Sequence, residues 1–182
     1  EVCKMLKQRP EMGQVSVSIN LPMTQLLDKG FIPRFLGVVD QAGVDRRRIC
    51  IEFTERTILE NFSQTLSIMN ELNEAGIRFY LDDFGVGYSN FNCLLQLPFQ
   101  IIKIDAGFIR NRNENGRNFT TVRALTRIFH DMNLTVVAEG AETQDEVDAL
   151  TDIGVDRIQG FVFARPMPLK ELLLFYGDKE QT

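Results

Sequence analysis

Tyr80-Leu81-Asp82-Asp83-Phe84-Gly85-Val86-Gly87-Tyr88-Ser89-Asn90 is the stretch from which the rest of the chain can be read. The apolar run from Ile77 to Leu81 stops at two adjacent carboxylates, and a glycine turn follows them. Apolar run, acids, tight turn and helix start is how an α/β protein presents side chains at the carboxyl end of a strand. Neighbouring acids repel each other unless a cation or a shared proton offsets the charge. The pair therefore reads as a divalent-metal site, with further ligands due from elsewhere in the chain.

Working outward, the same pattern repeats. Upstream, Val15 to Asn20 alternates as a strand does and ends in a polar residue. Leu21 to Val39 is broken by Pro22, Gly30 and Pro33 into one or two short helices, and Arg48 to Glu55 is the next strand. Glu60 to Ala75 carries Phe62, Leu66, Met69 and Leu72 at helical spacing, closed by Gly76. Downstream come a short helix from Asn92 to Leu97, a strand from Ile101 to Asp105, a helix from Asn118 to Met132 and a strand from Leu134 to Ala138. A helix from Glu142 to Ile153, a strand from Asp156 to Phe163 and a helix from Pro168 to Tyr176 complete the series.

Near-continuous apolar strands alternating with helices predict a parallel sheet covered by helices. The polar residues gather at one end of each strand: Asn20, Glu55, Asp82 with Asp83, Lys103 with Asp105, Glu139 and Gln159. A doubly wound sheet decorates only the crevice at its switch point, whereas a (β/α)8 barrel turns every strand's carboxyl end to one site. The expected fold is therefore a TIM-like barrel in one unit over residues 1–182. Such barrels take about 250 residues, and the chain opens inside a helix without a cap. The reading expects an incomplete barrel of about six strand–helix units, short of two at its start.

The totals exclude several alternatives. No run of about 18 apolar residues is present to span a membrane, and no signal-peptide pattern opens the chain. A net charge of -5 disfavours a sequence-independent nucleic-acid binder, which is normally basic. Cys3, Cys50 and Cys93 show no CxxC spacing and read as reduced thiols of a cytoplasmic protein. His130 is the single histidine, so a mechanism built on two histidines is ruled out.

Asn20, Glu55, Asp82, Asp83 and Glu139 all offer oxygen, which suits Mg²⁺ or Mn²⁺ better than zinc. Carboxylates converging on one pocket can hold two such ions, the arrangement used for in-line displacement at phosphorus. Lys103 could orient an attacking water or neutralise charge developing on phosphate, and Gln159 could touch substrate. Plainer roles exist for single residues. Asp105 and Glu142 could be helix caps, Asp83 a turn former, Lys103 a solvated strand end and His130 a surface or packing residue. Arg46-Arg47-Arg48 reads as a solvated loop. Six strands all ending in candidate ligands are harder to explain by such roles.

Taken together, Ser18-Ile19-Asn20-Leu21, Phe53-Thr54-Glu55, Leu81-Asp82-Asp83-Phe84-Gly85, Ile102-Lys103-Ile104-Asp105, Ala138-Glu139-Gly140-Ala141-Glu142 and Gln159-Gly160-Phe161 resemble the EAL-domain family of cyclic di-GMP phosphodiesterases. The resemblance runs from Val15 to Pro168. It implies a TIM-like barrel that hydrolyses cyclic di-GMP to linear pGpG with two Mg²⁺ or Mn²⁺ ions. By motif it implies Asn20, Glu55, Asp82, Asp83 and Glu139 as metal ligands, with Asp82 shared between the ions. It implies Lys103, Glu139 and Glu142 in catalysis and Gln159 at the substrate. It also implies a homodimer through the loop after Asp83 and the adjacent helix, and fusion to or regulation by other signalling domains.

The sequence departs from the family pattern in places. The Glu-Ala-Leu motif of the first strand is absent, Pro22 replaces a serine, and Val86 and Asn90 stand where Thr and Ser are usual. The chain by itself is accordingly expected to show little hydrolysis. The rival reading is a non-catalytic cyclic di-GMP receptor.

Overall fold

The computed structural model describes residues 2–8, 15–54, 62–86, 91–110 and 117–179. Six strands form one sheet among them: β1 (Val17–Asn20), β2 (Ile49–Thr54), β3 (Arg78–Phe84), β4 (Ile101–Ile104), β5 (Thr135–Glu139) and β6 (Arg157–Gln159). Their spatial order is β1-β2-β3-β4-β5-β6, and every neighbouring pair is parallel. Order in space follows order in the chain without a reversal, as in a barrel and unlike a doubly wound sheet.

The helices are α1 (Val2–Gln8), α2 (Met23–Leu26), α3 (Phe31–Ala42), α4 (Phe62–Glu74), α5 (Phe91–Gln96), α6 (Gly107–Arg110), α7 (Arg117–Asp131), α8 (Gln144–Ile153) and α9 (Leu169–Lys179). None of the described helices is long and apolar enough to cross a membrane.

Strand alternation separates two faces. Ile49, Ile51 and Phe53 of β2 turn outward into the main core with the helices, stacking Phe53 on Phe79 at 5.9 Å between centroids. Cys50, Tyr80, Ile101 and Val137 turn the other way and make a small cluster of their own. Nearly every residue of β2 is buried for this reason, one face by helices and the other by the sheet's own concavity. In a flat sheet β2 and β5 would lie roughly 14 Å apart. Lys103 of β4 nevertheless reaches Glu52 of β2 at 3.3 Å and Glu139 of β5 at 2.7 Å. The sheet curls around its polar side, and the architecture is an incomplete TIM-like barrel.

Several boundaries differ from those expected. Strand β3 does not stop at Leu81 but continues through both acids to Phe84. Strand β6 ends at Gln159 instead of Phe163, because Gly160 leaves the ladder and presses against the backbone of Ala141. Helix α8 starts at Gln144, not Glu142, capped by Thr143 in a capping box with Glu146. Arg46–Arg48, expected as a solvated loop, is a solvent-facing 3₁₀ turn before β2. Arg46 pairs with Asp40, Arg47 with Asp45, and Arg48 donates to the Val15 carbonyl. Helix α6 was not anticipated at all.

Candidate metal centre

Lys103 sits on the concave face, 6 % exposed, and is the hub of the site. Its ammonium donates to Asp82 Oδ1 at 2.9 Å and Glu52 Oε2 at 3.3 Å, and lies 2.7 Å from Glu139 Oε1. An ammonium has three protons, and here each has a carboxylate. Burial alone would discourage the charged form, but the bonds to Glu139 and Asp82 outweigh it and raise the lysine's pKa. Lys103 is thus a fixed cation, not a base.

The acid pair owes its aim to an irregularity in β3. Between Leu81 and Phe84 the register against β4 shifts. Asp83 adopts φ 54, left-handed backbone for a residue that is not glycine. Its N–H donates to Asp82 Oδ1 at 3.1 Å and its carbonyl accepts from Val86 at 3.2 Å. This is a β-bulge, which inserts a residue and re-aims side chains. Strict alternation would send Phe84 to the same face as Asp82. The bulge instead returns Phe84 to the helix layer, edge-on to Phe129 at 5.0 Å, and leaves Asp83 beside the polar cluster.

One carboxylate oxygen from each of Asp82, Asp83 and Glu139 lies within 4.8 Å of the others. Oxygens that share one ion at about 2.0–2.6 Å are no more than about 5 Å apart, so this trio fits a hard divalent cation. Electrostatics point the same way. Burial, then the charges of Asp82 and Asp105, push the Asp83 carboxyl above its ordinary pKa. Burial also raises Glu139, with Lys103 offsetting part of the rise. Four acids around one ammonium leave negative charge uncompensated.

Other expected residues fall at the same end of the sheet. Asn20 ends β1 opposite Glu52 in register, and its side chain is exposed. Gln159 ends β6 opposite Glu139 and lines, with Lys103, Glu139, Phe161 and Arg165, an open cleft of about 830 Å³. Glu142 is exposed in the turn before α8, where its N–H donates to Glu146 Oε2 at 2.8 Å. The β5 and β6 ends are locked together. Gly140 and Ala141 donate to the Gln159 carbonyl, and a Cβ on Gly160 would lie 2.0 Å from the Ala141 oxygen. Glu55 lies outside the described residues.

Two plain roles prove correct. Asp105 accepts from the Gly107 N–H at 2.7 Å and starts α6, and His130 is a surface residue facing Asp156. The reading of Lys103 as a solvated strand end does not hold, since it is buried among acids. Glu52, 6 % exposed, was not anticipated as a site residue. Its signal was a single charge inside Ile49-Cys50-Ile51-Glu52-Phe53, a place where an acid is costly unless paired.

Comparison with known proteins gives a consistent picture. A family model described as EAL domain matches residues 1–166. The chain is 33% identical over 167 residues to the cyclic di-GMP phosphodiesterase PdeR of Escherichia coli, covering 92% of this chain and 25% of that protein. It thus spans about a quarter of the length of the curated relatives it matches. The solved structure of the MucR phosphodiesterase of Pseudomonas aeruginosa with c-di-GMP superposes with a TM-score of 0.84 at 30% identity, over 93% of this chain and 70% of that one. A manganese and cyclic di-GMP complex of BlrP1 from Klebsiella pneumoniae gives 0.82 at 31% identity, over 91% of this chain and 42% of that one.

Proposed function

The chain belongs to the EAL-domain family, and from that membership we propose that it is a domain of a metal-dependent phosphodiesterase that hydrolyses cyclic di-GMP to linear pGpG. The observation that carries this reading is the convergence of Glu52, Asp82 and Glu139 on Lys103, with Asp83 turned in beside them. Asn20, Glu52, Asp82, Asp83 and Glu139 are proposed to hold two divalent ions, Mg²⁺ or Mn²⁺. Glu52 takes the place first expected of Glu55, because it stands in the acid cluster. Bound manganese and calcium in the BlrP1 complexes support such a site.

When bound, the ions supply an acidified water as nucleophile and stabilisation of the leaving oxygen. The chain's own residues do the rest. Lys103, held charged by its three acids, faces the phosphate as a permanent cation and steadies charge building on its oxygens. Gln159 presents its amide at the cleft to substrate, and Glu142 supports the turn beside Glu139. A homodimer through the loop after Asp83 and α5 belongs to the same proposal, supported by Val86 and Leu95 at 66% and 70% exposure. The messenger is a bacterial cytoplasmic nucleotide, so the domain is assigned to that compartment, beside other signalling domains.

Incubating the full-length protein with cyclic di-GMP and Mn²⁺, and separating the nucleotides by chromatography, tests the reading. The expected result is pGpG, with D82N lowering kcat by about 100-fold or more, the loss expected when a group that stabilises the transition state is removed. Nucleotide bound but left uncut, with the wild-type sequence and saturating metal, would make the protein a receptor instead.

A further inference from the structure

We propose that Phe108 is a positioning residue for the Asp83 carboxylate, acting through Gly85. The inference rests on Asp83 being a metal ligand. A non-glycine residue held in left-handed backbone persists only where its surroundings over-determine it. The bonds inside the turn, Asp83 N–H to Asp82 and Val86 N–H to Asp83, are local. They shape the bulge, and Lys103 ties Asp82 to Glu139, but none of these bonds reaches the Asp83 carboxylate.

Phe108 supplies the missing constraint. Gly85 has φ 99, and a Cβ built there would fall 2.1 Å from Phe108 Cε2 and 2.6 Å from Cζ. The ring therefore fills the space that any other residue's side chain would claim, directly beyond the acid pair. Helix α6, which carries the ring, is itself anchored to β4. Asp105 accepts from the Gly107 N–H at 2.7 Å and the Phe108 N–H at 3.1 Å, and Asp105 N–H donates to the Phe84 carbonyl at 3.4 Å. Ile109, fully buried, seats the helix in the core. Phe84, next to Gly85, is held edge-on by Phe129. Rings thus pack on both Phe84 and Gly85, and the Phe108 ring connects the end of the lysine strand to the turn bearing Asp83.

A ring that merely fills space would affect stability without caring whether residue 83 is an acid. F108A, F108L and D83N, with the double variant F108A/D83N, separate the two roles. Mn²⁺ affinity is read by electron paramagnetic resonance and amide exchange at Val86 by NMR. The expected result is an affinity loss of about 10-fold in F108A, the size typical of residues supporting a metal ligand. That loss shrinks below about 2-fold on the D83N background, as coupled residues require. F108L, which keeps bulk against Gly85, retains most of the affinity. An equal loss with and without the Asp83 charge, or no loss, overturns the proposal. If F108A does not fold, F108L is read in its place on both backgrounds, with a smaller loss that must still vanish in D83N. Should wild type bind no Mn²⁺, the metal reading fails, and exchange at Val86 decides the positioning alone: faster in the Phe108 variant supports it, unchanged overturns it.

Discussion

The two ends of the sheet treat charge in opposite ways. At the amino end several charges find local partners. Asp156 accepts from the Val136 N–H at 2.7 Å and faces His130 Nε2 at 2.8 Å, Arg46 pairs with Asp40, and Arg78 donates to the Arg47 carbonyl. At the carboxyl end Glu52, Asp82, Asp83 and Glu139 share Lys103. The lower end uses its polar groups to fasten strands and helices together. The upper end accepts repulsion among clustered acids, the mark of a place shaped for a ligand rather than for stability.

The sharpest way to break this contrast is to remove the lysine. K103M leaves buried carboxylates without their cation, and losing one partner of such a group costs about 3–5 kcal/mol. Urea unfolding without metal should show that loss, and added Mn²⁺ should recover part of it if the upper end is short of positive charge. Full stability in metal-free K103M would mean that the acids simply take up protons.

At the lower end, D156N should cost about 1 kcal/mol, the worth of one hydrogen bond to an ionised acceptor near the surface. Burial works against Asp156 ionisation, but the Val136 N–H and His130 overcome it and lower the pKa. A carboxyl depressed on folding stabilises above its ordinary value and loses that contribution as pH falls through the lower folded value. The difference between wild type and D156N should therefore close below about pH 4, where carboxylates ordinarily titrate.

Asp83 and Glu139 carry the opposite sign. Their pKa values are raised, so the metal-free fold binds protons more tightly than the unfolded chain and loses stability as pH rises through that interval. D83N, which keeps a residue tolerant of left-handed backbone, should stabilise the metal-free protein by about 0.5 kcal/mol, the scale of a relieved like-charge contact. It should weaken Mn²⁺ binding at the same time. A thermal melt showing D83N less stable than wild type would mean that the acid pair is not a source of strain.

Much of this arrangement was legible in the sequence because strand and helix periods are local properties. The alternation at Val17–Asn20 and the helical spacing in Phe62–Glu74 needed no tertiary information. So was the gathering of Asn20, Asp82, Lys103, Glu139 and Gln159 at one end, since each stands toward the carboxyl side of a segment read as a strand. Glu52 escaped because nothing along β2 says which face closes into a concavity, and a charge amid isoleucines gives no hint of a lysine two strands away. The bulge escaped for a similar reason. Two acids before a glycine look like a turn, and only the burial of Phe84 against Phe129, a partner distant in sequence, shows that the strand continues. The early end of β6 depends on a contact with Ala141, equally invisible from within its own segment.

That contact between Gly160 and Ala141 constrains any attempt to redesign the cleft. With no room for one additional carbon between the two backbones, the ends of β5 and β6 move as a single body. The spacing of Glu139 from Gln159 is thus insulated from changes on the exposed side chains nearby. Libraries that vary Phe161 or Arg165 can explore new ligands while the spacing of Glu139 and Gln159 stays put, whereas a library that includes position 160 alters that spacing in every member other than glycine.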